Sequence, residues 1–95
     1  MEKDFFTDLN IAVITTRQVI ETSSDVVYVG HDLEDGSWQF LSRDFNEGDA
    51  RVVSLKNILE LDPTLNELKN LELGNFAKRN NKLEMFKRQS FEKHL

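Results

Sequence analysis

Two runs of strand-forming residues, separated by a short acidic turn, constrain this chain more than any other feature. The first run is Asp25-Val-Val-Tyr-Val-Gly-His31 and the second is Ser37-Trp-Gln-Phe-Leu-Ser42. The connection Asp32–Gly36 ends in Asp-Gly, and β-type runs joined in this way form an antiparallel hairpin. If His31 pairs with Ser37, Gly30 stands opposite Trp38, Tyr28 stands opposite Phe40, and Val26 shares their face. Gly30 then leaves space for the indole, and the aromatic pair packs across the strands. Val27, Val29, His31, Gln39 and Leu41 occupy the other face. A slip of one residue would exchange the two faces.

The flanking sequence supplies further elements. Ile11–Ile14 reads as a buried strand, and Thr15 or Thr16 as the cap of a brief helix over Arg17–Glu21. Arg51–Val53 reads as a short strand. Ser54 is placed to cap a helix carrying Leu55, Ile58 and Leu59. Asp62-Pro63 starts another, because proline at the first helical position sacrifices no needed N–H. Leu65, Leu68 and Leu71 form its apolar stripe, and Gly74 ends it. Phe76–Lys82 reads as extended chain with a turn at Asn80-Asn81. From about Lys82, Leu83, Phe86 and Phe91 fit a helix, although Leu83, Met85 and Lys87 also alternate as a strand would. These elements predict a single α+β domain over residues 1–95: a mostly antiparallel sheet of about four strands packed against two or three helices, with 80–95 as a peripheral basic helix.

A chain of 95 residues holds one core. It has no cysteine, which excludes disulfides and thiolate zinc sites and favours the cytoplasm. Met1-Glu-Lys-Asp-Phe-Phe6 lacks the basic-then-apolar order of a signal peptide, and no apolar run approaches the ~20 residues that span a bilayer. The net charge of −5 is unevenly placed, −9 over residues 1–75 and +4 over residues 76–95. An acidic body argues against nucleic acid as a partner.

Catalytic signatures are sparse. His31 has Asp32 beside it and Asp35 nearby, the minimum for acid–base chemistry. Neighbours on a strand point to opposite faces, however, which weakens a His31–Asp32 dyad. Asp32, Glu34 and Asp35 offer oxygen ligands, but a calcium loop starting at Asp32 would need Gly where Ser37 stands and Glu where Arg43 stands. The four glycines stand singly and build no phosphate cradle. Tyr28, Trp38 and Phe40 suit a core better than a ligand platform in so small a chain. Neither a cofactor nor a metal is therefore expected. Asp32, Glu34, Asp35, Asp44, Glu47 and Asp49 flank the third strand on both sides. If their loops lie together, they form a negative patch that steers a basic partner.

The series His31-Asp32, Asp35-Gly36-Ser37-Trp38-Gln39-Phe40-Leu41, Asp49-Ala50, Val52-Val53-Ser54-Leu55, Ile58, Asp62 and Leu65-x-x-Leu68 resembles a family of small bacterial proteins of unknown function. That family is similar to an immunity-protein domain class found beside bacterial polymorphic toxins. The likeness runs from about Ile14 to Arg79 and closes with Gly74-x-x-Ala77-x-Arg79. Beyond Arg79 the chain departs from the family, which usually has a tryptophan near Met85 or Phe86. The resemblance implies a non-enzymatic α+β domain that neutralises a toxin by binding it, with no catalytic residues to carry over. Three expectations follow. The first is a cytoplasmic binding protein of immunity or accessory type, whose six carboxylates meet a basic protein such as a toxin. The second is a small hydrolase or ligand-binding enzyme using His31 and a carboxylate. The third is an oligomerising protein, a homodimer in the simplest case, joined through Phe86 and Phe91.

Overall fold

In a computed structural model that describes residues 3–90, the strand-forming runs assemble into one mixed six-stranded sheet. The strands are β1 (Ala12–Thr16), β2 (Tyr28–His31), β3 (Trp38–Leu41), β4 (Ala50–Ser54), β5 (Asn75–Lys78) and β6 (Lys87–Ser90). Their spatial order is β4-β1-β3-β2-β5-β6, with β1 and β3 parallel and the other pairs antiparallel. Helix α1 (Arg17–Thr22) follows β1, and α2 (Leu55–Leu61) follows β4. Two 3₁₀ segments, Glu47–Asp49 and Pro63–Leu68, complete the regular structure. The α+β expectation holds, but the sheet has six strands rather than four. The basic end of the chain contributes β6, not a helix, over Lys87–Ser90.

The core lies on one face of this sheet. Val13, Val29, Trp38, Phe40 and Ala77 point into it, and Leu55, Ile58, Leu65, Leu68 and Leu71 cover them. The caps behave as local chemistry dictates. Ser54 Oγ accepts the Asn57 N–H at 3.1 Å, and Asp62 Oδ1 accepts the Thr64 N–H at 3.0 Å. The threonines of β1 do not cap α1. Thr15 Oγ1 donates to the Phe40 carbonyl at 2.6 Å, and Thr16 Oγ1 lies 2.8 Å from Ser42 Oγ. Both hydroxyls are buried and tie β1 to β3 and to the residue that follows it.

The hairpin is shifted by one residue from the expected register. His31 pairs with Trp38, Gly30 with Gln39, Val29 with Phe40 and Tyr28 with Leu41. The turn accounts for this. Asp32 Oδ1 accepts the Glu34 N–H at 2.8 Å, and Asp35 Oδ1 accepts the Ser37 N–H at 2.9 Å. These side-chain bonds hold a loop that closes between the Asp32 N–H and the Ser37 carbonyl, leaving His31 opposite Trp38. His31, Val29, Trp38 and Phe40 therefore share the core face, and Tyr28, Gly30, Gln39 and Leu41 share the other. Gly30 makes room not for the indole but for its neighbours on the outer face. A Cβ there would stand 2.7 Å from Gln39 Oε1 and 3.2 Å from the Tyr28 ring.

A buried ion pair links the start of the second 3₁₀ segment to the end of β5. Arg79 Nη2 donates to Asp62 Oδ2 at 2.8 Å, and the arginine side chain is wholly buried. Its Nε donates to the Val26 carbonyl at 2.9 Å, Nη1 donates to Thr64 Oγ1 at 3.0 Å, and the guanidinium lies 4.2 Å from the Phe86 ring centroid. Phe86 is thus committed to the interior of its own chain and is not an exposed dimer contact. Phe91 lies outside the described residues.

Candidate functional site

His31 is a core residue at the end of β2. Its ring stacks on Trp38 with centroids 3.9 Å apart and planes 15° apart, and Phe5 meets it edge-on at 4.8 Å. Nδ1 lies 2.7 Å from the Leu71 carbonyl oxygen, which can only accept, so Nδ1 carries a proton and donates. The residue is only 3% exposed. Burial pulls its pKa below the ordinary histidine value, against a smaller opposing effect of the Leu71 carbonyl. His31 lines neither the groove that holds Tyr28, Arg43 and Lys78 nor the small cavity that holds Ser24, Asp25 and Lys82. What His31 can do here is orient Trp38 and tie β2 to the loop after the 3₁₀ segment.

This environment has a consequence for pH. A folded-state pKa below the unfolded value means that the unfolded chain binds the proton first. His31 therefore contributes its full stability above its unfolded pKa of ~6.5, and that contribution is lost as pH falls toward the folded value. Urea midpoints measured from pH 7.5 to 5.5 should fall for the native chain and fall less for His31→Phe. Equal slopes in the two proteins would exclude this role.

The six candidate carboxylates do not form one patch. Asp32, Glu34 and Asp35 precede β3, whereas Asp44, Glu47 and Asp49 follow it. A four-residue strand holds the two groups apart by about 10 Å at opposite ends of the sheet. Asp49 is buried and already engaged. It accepts from Gln18 Nε2 at 2.8 Å, from the Asn46 N–H at 2.9 Å and from Arg17 Nε at 3.3 Å. The Gln18 bond, with the Asn46 N–H next, holds its pKa at about 2. Its work is to fasten the β3–β4 connection to α1. Asp44 and Glu47 are exposed on that connection.

The β2–β3 tip is different. Glu34 and Asp35 are exposed, Asp32 is partly so, and Leu33 between them is 56% exposed. The turn at Glu72-Leu73-Gly74 packs beside this tip, and the Gly74 N–H donates to the His31 carbonyl at 2.7 Å. A Cβ at Gly74 would meet Leu33 at 3.5 Å, and one at Gly36 would meet Leu73 at 3.9 Å. Each leucine lies over the glycine of the opposite turn, and both glycines have positive φ, +71° at Gly36 and +81° at Gly74. Leu73 is 45% exposed. The result is two accessible leucines on adjoining turns that also carry Asp32, Glu34, Asp35 and Glu72. The leucines were missed in the sequence because neither belongs to a periodic apolar stripe.

Among the described residues no group of three or more His, Asp or Glu side chains could hold a metal ion. No helix among them is long and apolar enough to cross a membrane. Comparison with protein families, with curated proteins and with solved structures finds no match to this chain.

Proposed function

We propose that this chain is a non-enzymatic protein-binding domain of immunity or accessory type, working in the cytoplasm. Its contact is the acidic tip formed by the β2–β3 turn and the turn at residues 72–74. The observation that carries this reading is the exposure of Leu33 and Leu73 on two adjoining turns that also carry four carboxylates. An apolar centre within a polar rim is the usual anatomy of a protein interface, and the four carboxylates suit a basic partner. The family resemblance points to a toxin as that partner. The reading keeps three of the six carboxylates first considered, Asp32, Glu34 and Asp35, and releases Asp44, Glu47 and Asp49.

The test is capture from the native host, using the tagged chain and its Asp32→Lys/Glu34→Lys/Asp35→Lys variant as baits. The unmodified chain should retain a basic protein that the variant releases, with affinity reduced at least tenfold. Equal retention by a variant that melts normally would rule out the tip as the contact. A hydrolase built on His31 is disfavoured by the stacking of its ring and by the use of Nδ1.

A further inference from the structure

The outer face of the sheet carries a feature of opposite charge. Tyr28, Leu41, Lys78 and Lys87 form one row across β3, β2, β5 and β6, and Gln39, Gly30, Phe76 and Gln89 form the next. Ser42, Arg43, Phe45, Asn80, Glu84 and Met85 flank this floor and help to line an open groove of about 1070 Å³. Phe76 stacks on Tyr28 at 5.6 Å, and Lys78 Nζ lies 5.9 Å from the Phe76 ring centroid. Phe45 and Met85 on the flanks are 45% and 77% exposed.

The charges in this groove are unbalanced. Arg43, Lys78, Arg79 and Lys87 line it against the single carboxylate of Glu84. Arg79 is matched by Asp62. Glu84 accepts from the Asn80 N–H at 3.0 Å and from Asn80 Nδ2 at 3.3 Å. Lys78 and Lys87 are directly cross-strand partners, so their side chains share a face. Like charges so placed repel, and among the described residues neither lysine is in a salt bridge. The Glu84 carboxyl, whose pKa is lowered first by its bonds from Asn80, is near enough to Lys87 to be lowered further by that charge. An anionic ligand would relieve that repulsion.

We propose that this groove binds an extended acidic peptide segment bearing apolar side chains. The lysines and Arg43 would meet its carboxylates, and Leu41, Phe45 and Met85 its apolar side chains. Three features favour a peptide over other anions. The volume lies at or above the ~300–1,000 Å³ of small-molecule pockets. The side-chain amide of Gln89, and the amide oxygen of Gln39, whose Nε2 donates to Ser37 Oγ at 3.0 Å, match a peptide backbone. The cations stand among the apolar side chains of Leu41, Phe45 and Met85, which a peptide's apolar residues can meet and a nucleic acid's continuously charged backbone cannot. The site is independent of the acidic tip and lies on a different part of the sheet.

The probe is a fluorescein-labelled decapeptide of alternating glutamate and leucine, followed by anisotropy at 0.15 M salt. Its counterpart replaces glutamate with glutamine. The acidic peptide should bind at least tenfold more tightly than the neutral one. The Lys78→Gln/Lys87→Gln variant should lose at least tenfold, and Lys87→Gln alone, at the sheet edge, should lose a smaller part. Reversal of Asp32, Glu34 and Asp35 should leave binding within about twofold, which separates this site from the tip. Equal affinity for the neutral peptide, or unchanged binding by both lysine variants, would overturn the proposal. So would displacement by millimolar inorganic phosphate, which marks a simple anion site, or tighter binding of oligouridylate.

Discussion

Replacing Arg79 with methionine is expected to destabilise the fold by about 3–5 kcal/mol, because it leaves the Asp62 carboxylate buried without its counter-charge. Asp62 is 6% exposed and Arg79 7%. The loss extends beyond the ion pair. Arg79 also holds the Val26 carbonyl ahead of β2, Thr64 in the 3₁₀ segment, and the ring of Phe86. A domain of this size is stable by only ~5–15 kcal/mol, so the variant should approach the limit of folding. At ~4–8 °C per kcal/mol, the melting temperature should drop by at least about 12 °C. Changing both partners, Arg79→Met with Asp62→Leu, should recover part of the loss, since the uncompensated charge is then gone. Recovery stays partial because Asp62 also caps the 3₁₀ segment. If Arg79→Met alone costs less than about 1 kcal/mol, the pair does not act as a buried fastener.

Trp38→Ala should be comparably severe, about 3–5 kcal/mol, as expected for removing a large aromatic from a packed interior. Trp38 is 2% exposed and stands at the centre of an aromatic cluster. His31 stacks on it at 3.9 Å, Phe40 lies parallel at 5.9 Å, and Phe6 meets it edge-on at 5.0 Å. Trp38→Phe keeps a ring in the stack and should cost clearly less. Urea unfolding of the three proteins decides the matter. Equal midpoints for the alanine and phenylalanine variants would mean that a ring at this position contributes nothing to stability. The site would register the loss too, because the Asp32–Ser37 turn is anchored on the His31–Trp38 pair.

Much of the fold was legible where the cause is local. Ser54 and Asp62-Pro63 mark their segments because capping needs only the residue and the next turn. The hairpin was legible as a hairpin, but its register was not. The shift arises from two aspartate side chains that take turn N–H groups, a choice between nearly equivalent loops that apolar alternation does not encode. The last two strands were legible only in part, as extended chain from Phe76 and as the alternation of Leu83, Met85 and Lys87, for a different reason. Asn75–Lys78 and Lys87–Ser90 contain few apolar residues, and their pairing with β2 is a long-range matter. The peripheral helix expected near the end of the chain was a period misread from Leu83, Phe86 and Phe91.

The candidate sites follow the same division. That Asp32, Glu34 and Asp35 face solvent followed from the turn alone. That Asp44, Glu47 and Asp49 lie at the other end of β3 follows from strand length, and Asp49 is further removed by its bonds to Gln18 and Asn46. The basic groove was foreshadowed only by the +4 charge of residues 76–95. Its shape needs β5 and β6 beside β2, which brings Lys78 and Lys87 next to Tyr28 and Leu41.

The acidic tip is the proposed contact, and site-specific photo-cross-linking interrogates it most directly. A benzophenone amino acid in place of Leu33, expressed in the native host and irradiated, should yield one discrete adduct with a basic protein. The same group in place of Lys56, exposed on α2, should yield none. An adduct from the Lys56 position with none from Leu33 would contradict the account.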